Sequence, residues 1–245
     1  RLRVKLENDD GEYIFNNPYI PAPENKYGFW LYNDLYNWNV CSQANGFYCT
    51  GPKEGYQSFF SGKPVIYLYP KERQVVSVKV KPKKIIKSEP LYDEGWRVMA
   101  WPDGDILNLT DGQKYPYLFW EGESYEPQFN KRKGFVIKSD QAERFLEEKL
   151  TLLGLNSQES SDFIDFWAPR IKRGKYAYVY FMPQADFDKM APLEVEPRPD
   201  TVIRVYMIYK NLDKPTEVEP QKLQTPTRQG FTVIEWGGEL MEINF

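Results

Sequence analysis

Two glutamates two positions apart have the residue type and spacing for acid–base catalysis. Glu121 and Glu123 lie in the sequence WEGE, and residues i and i+2 of a strand point to the same side of a sheet. Glycosidases place two carboxyl groups across the scissile bond, about 5 to 9.5 Å apart. Gly122 interrupts the strand pattern, so the alternative interpretation is a polar end of an aromatic strand.

A third carboxylate, Glu235, lies between Ile234 and Trp236 in an otherwise apolar segment. Arg204 interrupts a second apolar segment, VIRVYMIY. If the two strands pair, Arg204 and Glu235 form a partly buried ion pair that fixes the strand register. The alternative is that Glu235 is an acid with a raised pKa in a tryptophan-lined cleft.

Aromatic residues provide the candidate binding surfaces. Tyr176, Tyr178 and Tyr180 alternate along one predicted strand and therefore share a face. An exposed face would be a platform for sugar rings or a protein partner, whereas a covered face would belong to the core. Trp30 and Trp38, in an aromatic N-terminal region, are the second set of candidate contacts.

The composition excludes several classes of chemistry. The chain has 245 residues, 32 basic and 35 acidic side chains and no histidine, which excludes Ser-His and Cys-His nucleophile pairs and histidine metal ligands. It has no glycine-rich phosphate-binding loop, and the acidic residues around Asp9 lack EF-hand spacing, so we expect no cofactor and no metal. The net charge of -3 disfavours nucleic acid as a partner.

The two cysteines, Cys41 and Cys49, are separated by a polar, glycine-containing stretch. This spacing favours a structural disulfide, and two unrelated buried thiols are the alternative. A disulfide predicts an extracytoplasmic location. Because residue 1 is Arg and residues 1–13 lack the apolar core of a signal peptide, we expect a processed or truncated start. No apolar stretch is long enough to predict membrane insertion.

The elements that must position these residues begin at Lys63. Alternating apolar runs predict strands at 65–69, 74–80, 95–101, 105–109, 115–120, 176–182, 202–209 and 231–236. The first two form a hairpin candidate, and two Asp-Gly turns join the next three in an antiparallel meander. Residues 1–62 are rich in Asn, Pro, Gly and aromatics and predict an irregular segment.

Two adjacent helices are predicted between the two groups of strands. Asp140 and Glu143 form a capping pattern for the first helix, which Gly154 ends. Asn156 and Glu159 repeat that pattern for the second helix, which ends near a proline at position 169. The Pro-rich linkers at 183–199 and 213–226 are predicted to be long surface excursions.

The fold class that follows is α+β. Strands and helices do not alternate one by one, which favours mainly antiparallel sheets of meander or sandwich type with two adjacent helices. We predict an irregular, disulfide-containing segment over 1–62 and an antiparallel β domain over 63–127. An α+β part over 128–245 is predicted to pack on that domain.

Several ordered motifs between Lys63 and Gly238 resemble those of a group of uncharacterised, exported bacterial proteins. The motifs are KPVIYLYPKE, GWRVMAWPDGDI, YPYLFWEG, GFVI with its following helix, and GFTVIEWGG. The resemblance implies an extracytoplasmic location. That group has no established activity or catalytic residues, so the resemblance implies no mechanism.

These features predict a non-enzymatic extracytoplasmic or cell-surface module. Such a module would act through aromatic contacts with a protein or a glycan, and through self-assembly into a homo-oligomer, because aromatic residues are enriched at interfaces. The alternative is a carboxylate-based glycan hydrolase that uses Glu121, Glu123 or Glu235.

Overall fold

A computed structural model describes residues 62–125 and 129–241, and the backbone alone of residues 59–61 and of five N-terminal strands. The chain divides into two compact units, Arg1–Ser58 and Phe59–Phe245. The division falls after Ser58, whereas the sequence-based boundary lies after residue 62. Residues on both sides of the predicted boundary at position 127 belong to the second unit.

The N-terminal unit contains strands in the region predicted to be irregular. β1 (Val4–Asn8) pairs with β2 (Gly11–Phe15), and β3 (Trp30–Asp34), β4 (Asn37–Ser42) and β5 (Tyr48–Thr50) form a second antiparallel sheet. The prediction of an irregular segment is therefore wrong for these residues. Strands this short contain too few residues to show a clear alternation of apolar and polar side chains.

The second unit is built on an eight-stranded sheet. Its strands are β6 (Phe59–Tyr69), β8 (Lys84–Glu89), β12 (Leu118–Ser124), β13 (Lys133–Lys138), β14 (Tyr176–Met182), β16 (Thr201–Leu212), β17 (Glu219–Pro220) and β18 (Thr232–Leu240). Their spatial order is β17-β13-β14-β16-β18-β6-β12-β8. The pairs β16–β18 and β13–β17 are parallel, and the other pairs are antiparallel.

A second, smaller sheet of five strands is antiparallel throughout. Its strands are β7 (Gln74–Val80), β9 (Trp96–Ala100), β10 (Ile106–Asn108), β11 (Lys114–Tyr115) and β15 (Leu193–Glu196). They lie in the order β11-β10-β9-β7-β15.

Three helices complete the described part of this unit: α1 (Ala142–Leu152), α2 (Ser157–Ile171) and α3 (Gln184–Met190). The predicted capping box of α2 is confirmed, because the Asn156 side chain accepts from the Glu159 N–H at 2.9 Å and the Asn156 N–H donates to the Glu159 carboxylate at 2.7 Å. No helix in the described part of the chain is long and apolar enough to cross a membrane.

The start of α1 differs from prediction, whereas α2 ends close to its predicted position. Asp140 does not cap α1; it lies in a 3-10 turn, Ser139–Gln141, and neither this turn nor α1 has a side-chain cap. α2 ends at Ile171, two residues beyond Pro169, so the helix ends near the proline as predicted but includes it. The proline falls in the last turn, where it removes a single backbone donor.

The large sheet carries a different core on each face. The face toward α1 and α2 packs residues such as Phe163, Trp167 and Trp236. The opposite face packs against the five-stranded sheet and α3 through residues such as Trp120 and Phe187. Strands of the large sheet are therefore buried on both sides, which explains their almost continuous apolar sequences.

Three strand connections differ from the predicted ones. β6 and β7 do not form a hairpin, because they belong to different sheets. The meander is correct for β9, β10 and β11, but the strand predicted over 115–120 breaks at Pro116, which has no N–H for a sheet ladder, and β12 continues in the large sheet. The linker at 183–199 contains α3 and β15, and α3 buries Phe187 and Met190 in the core.

The α+β class with mostly strands in antiparallel and mixed sheets is confirmed. The predicted disulfide concerns side chains outside the described residues. The backbone register of β4 and β5 makes Cys41 and Cys49 direct partners. The disulfide itself stays a prediction.

Candidate functional site

Strand β6 contains a β-bulge centred on Lys63. Between Val65 and Ser61, β6 has one residue more than the stretch of β12 that pairs with it. Between Val65 and Gly62, it likewise has one residue more than the paired stretch of β18. Lys63 has a φ of 47°, a left-handed conformation that is uncommon for a residue other than glycine, asparagine or aspartate. Bulges redirect side chains and are frequent next to functional sites.

The ammonium group of Lys63 lies among three aromatic rings. Its Nζ lies 4.6 Å from the ring centroid of Phe166, 5.9 Å from that of Trp236 and 6.0 Å from that of Tyr117. These distances are within or at the limit of cation–π attraction, which is strongest where water is excluded. We call this cluster the Lys63 site and define it by Lys63, Tyr67, Tyr117, Glu121, Asp162, Phe166 and Trp236.

Helix α2 supplies a polar stripe to the Lys63 site. Asp162, Phe166 and Arg170 follow i, i+4 spacing and so lie on one helix face. The Tyr67 O–H donates to Asp162 Oδ2 at 2.8 Å, and the Arg170 guanidinium carbon lies 3.5 Å from the Phe166 ring centroid. The Phe166 ring is therefore contacted by two cations, Lys63 and Arg170.

Burial shifts the pKa values of two groups in the site in opposite directions. Desolvation lowers the pKa of Lys63, although the nearby Asp162 carboxylate opposes the shift. Desolvation also raises the pKa of Glu121, with the charge of Lys87 opposing it. Both shifts favour the neutral forms of Lys63 and Glu121. Perturbed pKa values of neighbouring groups are typical of binding and catalytic sites, and structural clusters of charged groups also produce them.

The structure separates Glu235 from the other two predicted carboxylates. Alternating burial along β12 places Glu121 and Glu123 on the helix-facing side of the large sheet, both half-buried. Glu235 lies on the opposite side, in the core between the two sheets, and is fully buried. The structure thus keeps Glu121 and Glu123 on one face and does not bring Glu235 to them. Within the described residues, no three Cys, Asp or Glu side chains converge on a possible metal position.

The structure brings Arg204 and Glu235 together. They are direct partners in the parallel pair β16–β18, and Arg204 Nε donates to Glu235 Oε2 at 2.6 Å. Trp120 Nε1 donates to the other carboxylate oxygen at 2.9 Å. Burial pushes the pKa of Glu235 up, and the Arg204 charge and the Trp120 N–H pull it down. With both oxygens occupied and no exposure, Glu235 has no free position for a substrate.

Arg204 has further partners that hold it in the core. Its Nη1 donates to Asp188 at 2.8 Å, and its Nη2 donates to the Ala191 carbonyl at 2.8 Å. The guanidinium carbon lies 3.9 Å from the ring centroid of Phe187. The arginine therefore ties α3 and the segment after it to the large sheet, which is a structural role.

The tyrosine row belongs largely to the core. Tyr178 is fully buried and Tyr180 is 6% exposed, and both pack between the two sheets. The Tyr178 O–H donates to the Lys133 carbonyl at 2.6 Å. Of the two alternatives for the row, the covered face is therefore correct for Tyr178 and Tyr180 and the exposed platform is wrong, while Tyr176 is half-buried. The side chains of Trp30 and Trp38 lie outside the described residues.

Sequence reasoning found Glu121 and missed most other members of the Lys63 site. The i, i+4 spacing of Asp162, Phe166 and Arg170 was available as a signal, because a charged residue, an aromatic residue and a second charged residue recur on one helix face. Lys63 gives no comparable signal, since lysine has no preference for the left-handed backbone at a bulge.

Comparisons with known proteins add one relative. No family model matches the chain, and no solved structure matches it. A stretch of 65 residues is 43% identical to "Uncharacterized protein in bglA 3'region" from Butyrivibrio fibrisolvens. The match covers 25% of this chain and 66% of that protein, so the chain spans just under two thirds of the length of this relative. The relative is an uncharacterised bacterial protein and provides no activity or substrate.

Proposed function

We propose that this chain is a non-enzymatic, extracytoplasmic binding module that contacts a glycan at the Lys63 site. The observation that carries the proposal is Lys63, which has a left-handed backbone at the bulge of β6 and an ammonium group among aromatic side chains. A left-handed lysine in a central strand costs free energy, and strained backbone of this kind tends to persist at binding sites. The composition predicts that aromatic residues contact the ligand. We assign those contacts to the helix-facing side of β6 and β12 instead of the tyrosine row.

The chemistry of the site suits a sugar ring. Tyr69 and Tyr117 are half-buried and flank the buried Tyr67; the ring centroids of Tyr67 and Tyr69 are 6.4 Å apart, and those of Tyr67 and Tyr117 are 5.5 Å apart. Partly exposed rings offer apolar surface to the C–H face of a sugar. Asp162 lies at this surface, because it accepts from the Tyr67 O–H at 2.8 Å, and a carboxylate can also accept hydrogen bonds from sugar hydroxyl groups. A few polar groups among aromatic rings are the usual composition of a small-ligand site.

The charges around the site favour a neutral glycan. Lys63, Glu121 and the charged groups that shift their pKa values include equal numbers of cations and anions. The cations are Lys63, Lys87 and Arg170, and the anions are Glu121, Asp162 and Asp165. A site with balanced charge has no net field to select an anionic or cationic ligand. We therefore expect uncharged oligosaccharides to bind more tightly than acidic ones.

A panel of soluble oligosaccharides, screened by calorimetry, tests the proposal. We expect saturable binding of at least one neutral glycan by the wild type and a loss of at least about tenfold in affinity for Tyr117→Ala, because stacking and its desolvation are removed. The matched control is Tyr115→Ala, since Tyr115 is also half-buried but belongs to the five-stranded sheet. Equal loss in both variants, or binding of no glycan at all, would overturn the proposal in favour of a protein ligand.

A carboxylate-based glycan hydrolase is the second candidate, and one observation favours it. Burial raises the pKa of Glu121, as a general acid requires, and Asp162 lies in the same site. Glu121→Gln separates the two functions. A binding module would release no product either as wild type or as Glu121→Gln, whereas the wild-type form of a hydrolase would cleave the glycan and the variant would lose cleavage.

The proposal also includes an extracytoplasmic location and self-association, both expected from the sequence. Aromatic residues make up 16% of the chain, and aromatic residues are enriched at protein interfaces. Sedimentation velocity over a range of protein concentrations tests self-association. A single monomeric species at every concentration would remove that part of the proposal and leave the glycan site unaffected.

A further inference from the structure

An open cavity of about 550 Å³ lies where the helical layer meets the end of the large sheet. Lys138, Ser139, Lys172 and Lys175 line it, together with Asp140. These residues share no member with the Lys63 site.

The topology brings three basic residues to this cavity. β13 ends at Lys138, whose register partner on β14 is Tyr176. The turn between α2 and β14 carries Lys172 and Lys175, and the Lys175 carbonyl accepts from the Ser139 N–H at 3.1 Å. The end of β13 and the end of α2 therefore meet, and each contributes ammonium groups to one wall.

Ser139, which also lines the cavity, has a buried hydroxyl group whose hydrogen bonding is not accounted for. Its side chain is only 3% exposed, and its Oγ has no hydrogen-bond partner within the described residues. A buried hydroxyl without a partner costs about 1 to 3 kcal/mol on mutational scales, so native proteins almost always satisfy it. Because Ser139 lines the cavity, a polar ligand in the cavity could satisfy it.

The backbone N–H groups next to the Ser139 hydroxyl already have partners. The Ser139 N–H donates to the Lys175 carbonyl at 3.1 Å, and the Ala142 N–H at the start of α1 donates to the Ser139 carbonyl. The donors left for a ligand are therefore the Ser139 hydroxyl and the lysine ammonium groups that line the cavity.

The charged residues that line the cavity differ in whether they already form an ion pair. Lys172 pairs with Glu143 at 2.6 Å and follows the C-terminus of α2, which gives it a structural role. Lys138 and Lys175 make no ion pair within the described residues. Asp140 opposes an anion, since it is the acidic member of the cavity lining.

We propose that this cavity binds a tetrahedral oxyanion, a phosphate or sulfate group, held by Ser139 Oγ, Lys138 and Lys175. Such a group presents several acceptor oxygens in different directions, which matches donors that come from a hydroxyl and from lysines at two strand ends. The group is either a free inorganic ion or an ester on a larger molecule. The site goes beyond the proposed binding of a neutral glycan and does not depend on it.

Titration with inorganic phosphate and with sulfate, followed by backbone-amide NMR shifts, tests the proposal. We expect saturable shifts at residues 138–143 at concentrations up to about 10 mM. Ser139→Ala should weaken binding about tenfold and Lys175→Met several-fold, and Asp140→Asn should tighten it. Ser157→Ala and Lys189→Met are the matched controls, because both residues are exposed at other helix ends.

Two further arms identify the source and protect the test against misfolding. Methyl phosphate and methyl sulfate that bind as tightly as the inorganic ions indicate an ester on a larger ligand, and weaker binding of the esters indicates a free ion. Lys175→Met changes an exposed side chain, so its effect does not depend on the core. No saturable shift with either ion, or equal affinity in wild type, Ser139→Ala and Lys175→Met, would overturn the proposal.

Discussion

Arg204 of β16 and Glu235 of β18 are direct register partners whose side chains meet inside the core, with Nε and Oε2 2.6 Å apart. Both side chains are almost fully buried, at 1% and 0% exposure. A buried pair loses its hydration, so its net stabilisation is small while both partners are present. Its presence in two apolar strands therefore specifies the register more than it adds stability.

A double-mutant cycle measures this relationship. We expect Arg204→Met alone to lower the free energy of unfolding by about 3 to 5 kcal/mol, because it leaves the buried Glu235 carboxylate without its cationic partner. Glu235→Leu alone should cost less, because Arg204 keeps its ion pair with Asp188 and its hydrogen bond to the Ala191 carbonyl. The double variant should lose less than the sum of the two, since it leaves neither charge of the pair. Urea unfolding of the four proteins gives the coupling energy. Strictly additive losses would show that the two groups do not interact.

The left-handed backbone at Lys63 predicts that a glycine variant is more stable than an alanine variant, which is the reverse of the usual order in a strand. A φ of 47° costs a residue with a Cβ about 1 to 2 kcal/mol relative to glycine. We expect Lys63→Gly to be more stable toward urea than Lys63→Ala by about 1 kcal/mol. The same two substitutions at Lys114, in β11, are the control and should show the opposite order. An alanine variant at least as stable as the glycine variant at position 63 would argue against the bulge.

Glu239 predicts a loss of stability as the pH rises. Its side chain is 4% exposed, and its Oε1 has no hydrogen-bond partner among the described residues. Burial raises the pKa of Glu239 from 4.5 to about 8. Between these values the folded protein keeps a proton that the unfolded chain releases. The contribution is therefore complete below pH 4.5 and is lost as the pH rises to 8.

The variant Glu239→Gln tests that pH dependence. We expect the wild-type free energy of unfolding to fall by up to about 1.4 kcal/mol per pH unit from this group. Glu239→Gln should remove that slope and become the more stable protein near pH 8. The control is Glu196→Gln, an exposed glutamate at the end of β15. Parallel pH profiles for wild type and Glu239→Gln would contradict the assignment.

Cys41 and Cys49 face each other across β4 and β5 in the backbone register, which is compatible with the disulfide expected from their spacing. We expect peptide mapping without reductant to recover the two cysteines in one linked peptide pair. The matched variant, Cys41→Ser with Cys49→Ser, should lower the stability of the protein by about 2 to 3 kcal/mol, since the enclosed loop is short. Two alkylatable thiols in the untreated protein would exclude the disulfide.

Local patterns account for the parts of the fold that the sequence predicts well. Asn156 and Glu159 satisfy each other across one helical turn, so four residues of sequence contain the whole interaction. Arg204 and Glu235 are detectable because a charge in an apolar strand requires a partner. The long-range pairings are less accessible: Pro116 ends one predicted strand, and the next residues join a sheet whose other strands lie far away in the sequence.

The Lys63 site is predictable only in part, because its members come together through long-range strand pairings. Glu121 has the residue type of a functional acid, and Asp162 and Phe166 recur on one helix face. They meet around Lys63, at a bulge that is defined by the registers of both neighbouring strands. No pattern within β6 alone specifies those registers, because its apolar residues are buried on both faces.

The position of a bound glycan tests the central claim most directly. In a titration of the isotope-labelled protein with the tightest-binding neutral oligosaccharide, we expect the largest amide NMR shifts at Lys63, Tyr117 and the Asp162–Phe166 turn of α2. The same titration of Lys63→Met should lose these shifts, and Lys114→Met should keep them, because Lys114 also lies over an aromatic ring, at 5.9 Å from Trp101, but in the other sheet. Shifts confined to the five-stranded sheet, or shifts unchanged in Lys63→Met, would contradict a glycan site at Lys63.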